Sequence, residues 1–142
     1  MSVMKVTPYL LFNGNCEEAF KTYERVLGGK IVASFNFGDS PMAAQHPEMA
    51  KKITHARLDV GDQMILASDC PPQYFEKAQG SSVCIEIETV EEAERIFKEL
   101  AENGNVKMPI QETFWAKRYG QLVDRFGIPW MINVSAPAYA AA

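Results

Sequence analysis

Eight side chains in this sequence combine a type that can move protons or grip small molecules with a spacing that could gather them, and they fall into two groups. The first holds His55, Arg57, Asp59, Ser68 and Asp69; the second holds Glu112, Phe114 and Trp115. His55, Arg57 and Asp59 alternate along the chain, so on a β-strand all three share one face. An imidazole that titrates near neutral pH suits a general base or a hydrogen-bond partner. A histidine bonded to a neighbouring strand would fit the same spacing. The planar fork of Arg57 suits a carboxylate or phosphonate ligand, or a pair with Asp59 two residues along. Ser68-Asp69 precedes Cys70-Pro71-Pro72, which places it at a pocket rim or in an Asx-type turn. In the second group Phe114, Trp115 and Tyr119 interleave with Glu112, Lys117 and Arg118 in neither helical nor strand order. Such a run closes a pocket over a flat or apolar ligand, with Glu112 as a second proton carrier, or it anchors a dimer interface.

The elements that must carry these residues are legible from periodicity. Gly61-Asp62 as a two-residue turn pairs Val60 with Gln63, Asp59 with Met64, Leu58 with Ile65, Arg57 with Leu66 and His55 with Ser68. One face of that hairpin, Ala56, Leu58, Val60, Ile65 and Ala67, is wholly apolar and must meet a helix. The opposite face carries His55, Arg57, Asp59, Met64, Leu66 and Ser68, too polar for a second core. Helices are expected from Cys16 to Leu27 and from Val90 to Leu100, each with apolar residues at three-to-four spacing. Asn15 with Glu18, and Thr89 with Glu92, read as capping boxes. Gly28-Gly29 and Asn103-Gly104 end the two runs.

These helices and their flanking strands repeat at an offset of 74, while the later hairpins repeat at 65. The difference of nine residues is assigned to a longer loop within Gly38 to Lys52, which contains Pro41 and Pro47. The chain therefore reads as a duplication of β-α-β-β-β, an α+β protein. One domain is expected over 5–136, with a first module over about 5–75 and a second over about 80–136. Residues 137–142 are expected to form a frayed tail.

Composition narrows the function classes. Fourteen Lys and Arg against eighteen Asp and Glu, a net charge of -4, argues against nucleic acid or an anionic membrane as partner. The three cysteines show no CxxC spacing and suit free thiols in a cytoplasmic protein. Cys70 and Cys84 lack the basic neighbours that would activate a thiol.

The chain resembles the vicinal oxygen chelate superfamily, which includes glyoxalase I, bleomycin-resistance proteins and extradiol dioxygenases. Within it the chain is similar to the PhnB-like branch, also labelled 3-demethylubiquinone-9 3-methyltransferase. The resemblance lies in Pro8-Tyr9-Leu10, Asn13-Gly14-Asn15-Cys16, Phe20-Lys21-Thr22-Tyr23, His55-Ala56, Ser68-Asp69, the run Gln111 to Ala116, and Asp124-Arg125-Phe126-Gly127-Ile128-Pro129-Trp130. It implies paired βαβββ modules forming an eight-stranded cup, a homodimer and a small-molecule ligand. Metal-dependent members hold a divalent ion with His or Glu at four positions, which fall here near Pro8, Leu66, Ser82 and Met131. None is a strong metal ligand, so no metal and no cofactor are expected. His55 with Asp59, Asp69 or Glu112 stays open as an off-pattern set. No glycine-rich turn opens a helix after a strand, which tells against binding of S-adenosylmethionine and against methyl transfer. A binding protein and an enzyme that uses His55 or Glu112 as base both remain as readings.

Overall fold

In the computed structural model, which describes residues 4–137, the chain divides into two compact units between Glu76 and Lys77. The first runs β1 (Tyr9–Phe12), α1 (Cys16–Leu27), β2 (Lys30–Asn36), β3 (Ile53–Val60) and β4 (Gln63–Asp69). The second runs β5 (Val83–Glu86), α2 (Val90–Ala101), β6 (Asn105–Gln111), β7 (Ala116–Val123) and β8 (Pro129–Ser135). Each unit is a four-stranded mixed sheet with one helix, and the strand orders match: β1-β4-β3-β2 and β5-β8-β7-β6. In both, the first strand lies parallel to the last and the other pairings are antiparallel. The α+β class and the paired βαβββ modules are thus present. All of the expected tail except residue 137 lies outside the described residues.

The duplication extends to backbone detail. Each helix is followed by a left-handed residue, Gly28 with φ 72° and Asn103 with φ 59°. The glycine after each of them lies against the end of the third strand. A Cβ on Gly29 would strike the carbonyl of Asp59, and one on Gly104 the carbonyl of Val123. Only glycine fits where a backbone passes this close.

The repeat register differs from the sequence expectation. Tyr9 pairs with Leu66 where Cys84 pairs with Met131, an offset of 75 in the first strands rather than 74. Lys30 pairs with Asp59 where Asn105 pairs with Val123, so the offset falls from 75 to 64 across the long loop. Between these paired residues the first unit therefore has eleven residues more than the second, not nine. The helices themselves keep 74, because the bend before α1 has one residue more than the bend before α2. The long loop is pinned rather than loose. Phe37 and Met49 are buried, and Phe37 N–H and Gly38 N–H donate to the carbonyls of Lys52 and Ala50.

Each helix buries its apolar stripe on its own sheet. In the first unit Phe12, Phe20 and Tyr23 form a mutual aromatic cluster above Leu58 and Ala67, all of them almost fully buried. In the second, Ala93, Ile96, Phe97 and Leu100 share the core with Leu122, Trp130, Ile132 and Val134. Each of the buried Phe, Leu, Ile and Val side chains contributes about 1.5–3 kcal/mol relative to exposure. Among the described residues, the other face of each sheet carries no α-helix of its own unit.

Candidate functional site

On the first sheet, the alternation of β3 places His55, Arg57 and Asp59 on the face away from α1. The expected hairpin register is observed from Val60–Gln63 to Arg57–Leu66. Tyr9 of β1 joins this face: its hydroxyl lies 3.4 Å from His55 Nδ1, with ring centroids 6.0 Å apart. Phe35 of β2 is the cross-strand partner of His55 and is 57% exposed. Leu11 and Tyr9 are about half exposed. Arg57 is not a free cation. Its Nε donates to Asp59 Oδ1 at 2.6 Å and its terminal nitrogen to Oδ2 at 3.4 Å.

Ser68 and Asp69 sit at the end of β4, and both are buried. Asp69 is only 3% exposed, and its two carboxylate oxygens accept from backbone N–H groups, Cys16 at 3.0 Å and Ile53 at 2.9 Å. Asp69 thus caps α1 from another strand and ties that helix to the start of β3. The Asn15 capping box expected from sequence is not formed: Asn15 makes no side-chain cap bond, and its Oδ1 is buried without a partner. Thr89 does cap α2, accepting from Glu92 N–H at 3.2 Å. Burial, with the nearby charges of Asp69 and Glu17, pushes the Cys16 thiol up to about 12, so it stays protonated and inert.

The second group of residues belongs to the second unit. Glu112 is exposed just beyond β6, and Phe114 is 81% exposed. The turn is held by Thr113, whose Oγ1 accepts from Ala116 N–H at 3.1 Å. Trp115 packs between Phe114 and Tyr119, at ring-centroid distances of 4.8 and 5.2 Å. The Asp124-to-Trp130 run is structural. Asp124, 4% exposed, accepts from the N–H groups of Phe126 and Ile128 and from Trp130 Nε1 at 2.8–2.9 Å.

Sequence reasoning missed one group of polar residues. On the open face of the second sheet, Asn133 Nδ2 donates to Glu86 Oε2 at 2.6 Å and to Ser135 Oγ at 3.0 Å. Ser135 N–H donates to Glu86 Oε1 at 3.1 Å. The alternation Met131, Asn133, Ser135 on β8 was the available signal, hidden by the apolar Trp130, Ile132 and Val134 between them. Tyr9 was missed as well, because it lay in an apolar run. A third feature is a cavity of about 190 Å³ between α1, β2 and β3, lined by residues including Cys16, Phe20, Ile31 and Ala56.

The four metal-ligand positions implied by the family resemblance do not suit a divalent ion. By the strand ladders Ser82 corresponds to Thr7, not to Pro8, while Pro8 corresponds to Val83. Leu66 and Met131 do correspond. Either set combines hydroxyls or hydrocarbon with one thioether, poor donors for zinc, nickel, manganese or iron. Among the described residues, no three or more His, Cys, Asp or Glu side chains come together in a way that could hold a metal. Asp59 and Asp69 are committed to Arg57 and to backbone N–H groups. No helix among the described residues is long and apolar enough to cross a membrane.

Comparison with known proteins supports the same architecture. A family model described as 3-demethylubiquinone-9 3-methyltransferase matches residues 4–133. Protein YjdN of Escherichia coli K12 is 38% identical, the match covering 92% of this chain and 95% of that protein. The crystal structure of PA1353 from Pseudomonas aeruginosa shares 46% identity at a TM-score of 0.87, covering 94% of this chain and 98% of that one. A PhnB protein from Bacillus cereus, described as a putative 3-demethylubiquinone-9 3-methyltransferase, shares 25% identity at a TM-score of 0.80, covering 93% and 100%. The fosfomycin resistance protein FosX from Listeria monocytogenes shares the fold alone, at 8% identity and a TM-score of 0.66 over 98% of both chains.

Proposed function

Because the chain belongs to the PhnB-like family, described as 3-demethylubiquinone-9 3-methyltransferase, within the vicinal oxygen chelate superfamily, we propose that it binds a small molecule on the open face of its first sheet, with His55 at the centre. The methyltransferase in that description is a family label. Gly28-Gly29 closes α1 instead of opening a helix after a parallel strand, so a nucleotide-type cradle is missing from this part of the chain.

The observation that carries the reading is the Tyr9–His55 pair, flanked by exposed Leu11 and Phe35. A flat or partly apolar ligand gains contact area from these side chains and directional bonds from the phenol and imidazole. Arg57 takes part only with a ligand acid strong enough to compete with Asp59 for it. Ser68 and Asp69 support this face from the end of β4 rather than reach across it. Within the second unit taken by itself, Phe114 and Trp115 are the ligand-contact candidates, at the turn after β6. The same reading has the chain acting as a homodimer in the cytoplasm.

An enzymatic role is the second reading, favoured by the 3.4 Å contact of Tyr9 with His55 Nδ1. A phenol donating there fixes the tautomer with its proton on Nε2, and a phenol accepting there leaves Nε2 as the base. Glu112, exposed at its turn, is the other candidate base.

NMR titration with benzamide, phenol and benzoate tests the binding reading. Shift changes are expected to cluster at Tyr9, Phe35 and His55, and to vanish in His55→Ala while the fold is retained. Binding that survives His55→Ala unaltered, or shifts that cluster elsewhere, removes the reading. Light scattering that gives the mass of one chain removes the homodimer.

A further inference from the structure

The open face of the second sheet carries a polar row that crosses all four strands. Glu86 of β5 is the ladder partner of Asn133 of β8, Asn133 of Tyr119 of β7, and Tyr119 of Gln111 of β6. Ser135 and Gln121 lie two residues along on the same face, and Gln121 Nε2 donates to the Tyr119 hydroxyl at 3.0 Å. The donors of Asn133 and Ser135 are spent within the network. Asn133 gives its amide hydrogens to Glu86 and Ser135, and Ser135 gives its N–H and hydroxyl to Glu86.

What remains unused is acceptor capacity. Asn133 Oδ1 is shielded from solvent and accepts no hydrogen bond. The amide cannot turn over to relieve this, because its nitrogen must face the carboxylate of Glu86. Burial raises the Glu86 pKa, but the bonds from Ser135 and Asn133 outweigh it and hold the carboxyl below its usual range, so it is an anion at neutral pH. None of the ion pairs among the described residues involves Glu86. Arg118, on the same strand as Tyr119, is turned to the helix side and bonds Glu94 at 2.9 Å. Tyr119, the ladder partner of Asn133, meets Trp115 in a T-shaped contact at 5.2 Å, and aromatic rings attract a positive charge.

An anion, an unsatisfied carbonyl oxygen and two aromatic rings call for a partner with several N–H donors and a positive charge. We propose that this row binds a small primary organic ammonium ion, its N–H groups meeting the Glu86 carboxylate and, as the side chains over it part, Asn133 Oδ1, with its hydrocarbon part lying against Tyr119 and Trp115. The inference stands on the second unit alone and does not rest on the His55 reading.

The test is a titration of the full chain with benzylammonium chloride, followed by amide NMR, with neutral benzyl alcohol of the same shape as the control. Expected are shifts at residues 86, 119, 133 and 135, with benzyl alcohol at least tenfold weaker. Glu86→Gln is expected to lose tenfold or more in affinity. Should that variant fail to fold, Tyr119→Leu serves instead, with an expected loss of about threefold. Equal binding of alcohol and ammonium, or a variant that folds and binds as well as the parent, overturns the proposal. So does a set of shifts confined to the first unit, which would leave the His55 reading standing.

Discussion

The two units share one backbone plan, and the same positions in them hold opposite chemistry. Across the first sheet Leu11 is paired with Ser68 and Phe35 with His55, so the two outer strands place apolar side chains on either side of a serine and an imidazole. Across the second, the row is Glu86, Asn133, Tyr119 and Gln111. The helix-facing sides differ as well. Ala56 in β3 lines a cavity of about 190 Å³ beneath α1. Its counterpart in β7 is Gly120, where a Cβ would lie 2.6 Å from Phe97 Cε2. Even the helix starts differ: Thr89 caps α2 from the adjacent position in sequence, whereas α1 relies on Asp69 from a distant strand. Duplication fixes where a side chain stands. What it does there was free to diverge.

The capping difference can be broken most forcefully. Asp69→Ala strips acceptors from two buried N–H groups at once and is expected to cost about 3 kcal/mol in denaturant unfolding. A cost below that of Thr89→Ala would contradict the tertiary-cap account. Next comes packing. Gly120→Ala forces atoms into a filled space and should destabilise by about 1–3 kcal/mol. Ala56→Val, the mirror experiment in the first unit, fills part of a void and should be neutral or stabilising by less than about 1 kcal/mol. Two changes of the same sign and size would erase the contrast. Thr89→Ala itself, a local cap, should cost about 1 kcal/mol.

The smallest effect is electrostatic. The Glu86 carboxyl has a folded pKa below its ordinary value of 4.5, so its stabilising share is present above that value and is lost as pH falls through the folded pKa. Solvent screening keeps this share small. Unfolding curves of Glu86→Gln and the parent should converge as pH is lowered below 4.5 and separate above it. Parallel curves at every pH would remove Glu86 from the account.

Much of the fold was readable because its signals are local. The helical spacing of Ala19, Phe20, Tyr23 and Val26, and the two-residue turn at Gly61-Asp62, each specify an element without tertiary help. The faces of β3 followed from alternation, and with them the shared position of His55, Arg57 and Asp59. What was not readable depended on contacts between distant segments. Asp69 lies 53 residues from the N–H it caps, and nothing at Asn15 shows that its own side chain is bypassed. The loop length came out two residues short because α2 is followed by one residue more than α1 before its next strand, and the β7–β8 connection is one residue longer than the turn at Gly61-Asp62. The Glu86–Asn133–Ser135 group requires a parallel pairing of β5 with β8, which no short-range pattern announces.

The account stands or falls on whether the Tyr9–His55 face is where this protein meets a small molecule. Titration of isotopically labelled protein with benzamide, read residue by residue, addresses that directly. Saturable shifts centred on Tyr9, Phe35 and His55 are expected. Saturable shifts centred instead on the residues lining the cavity beneath α1, with the His55 face silent, would contradict it.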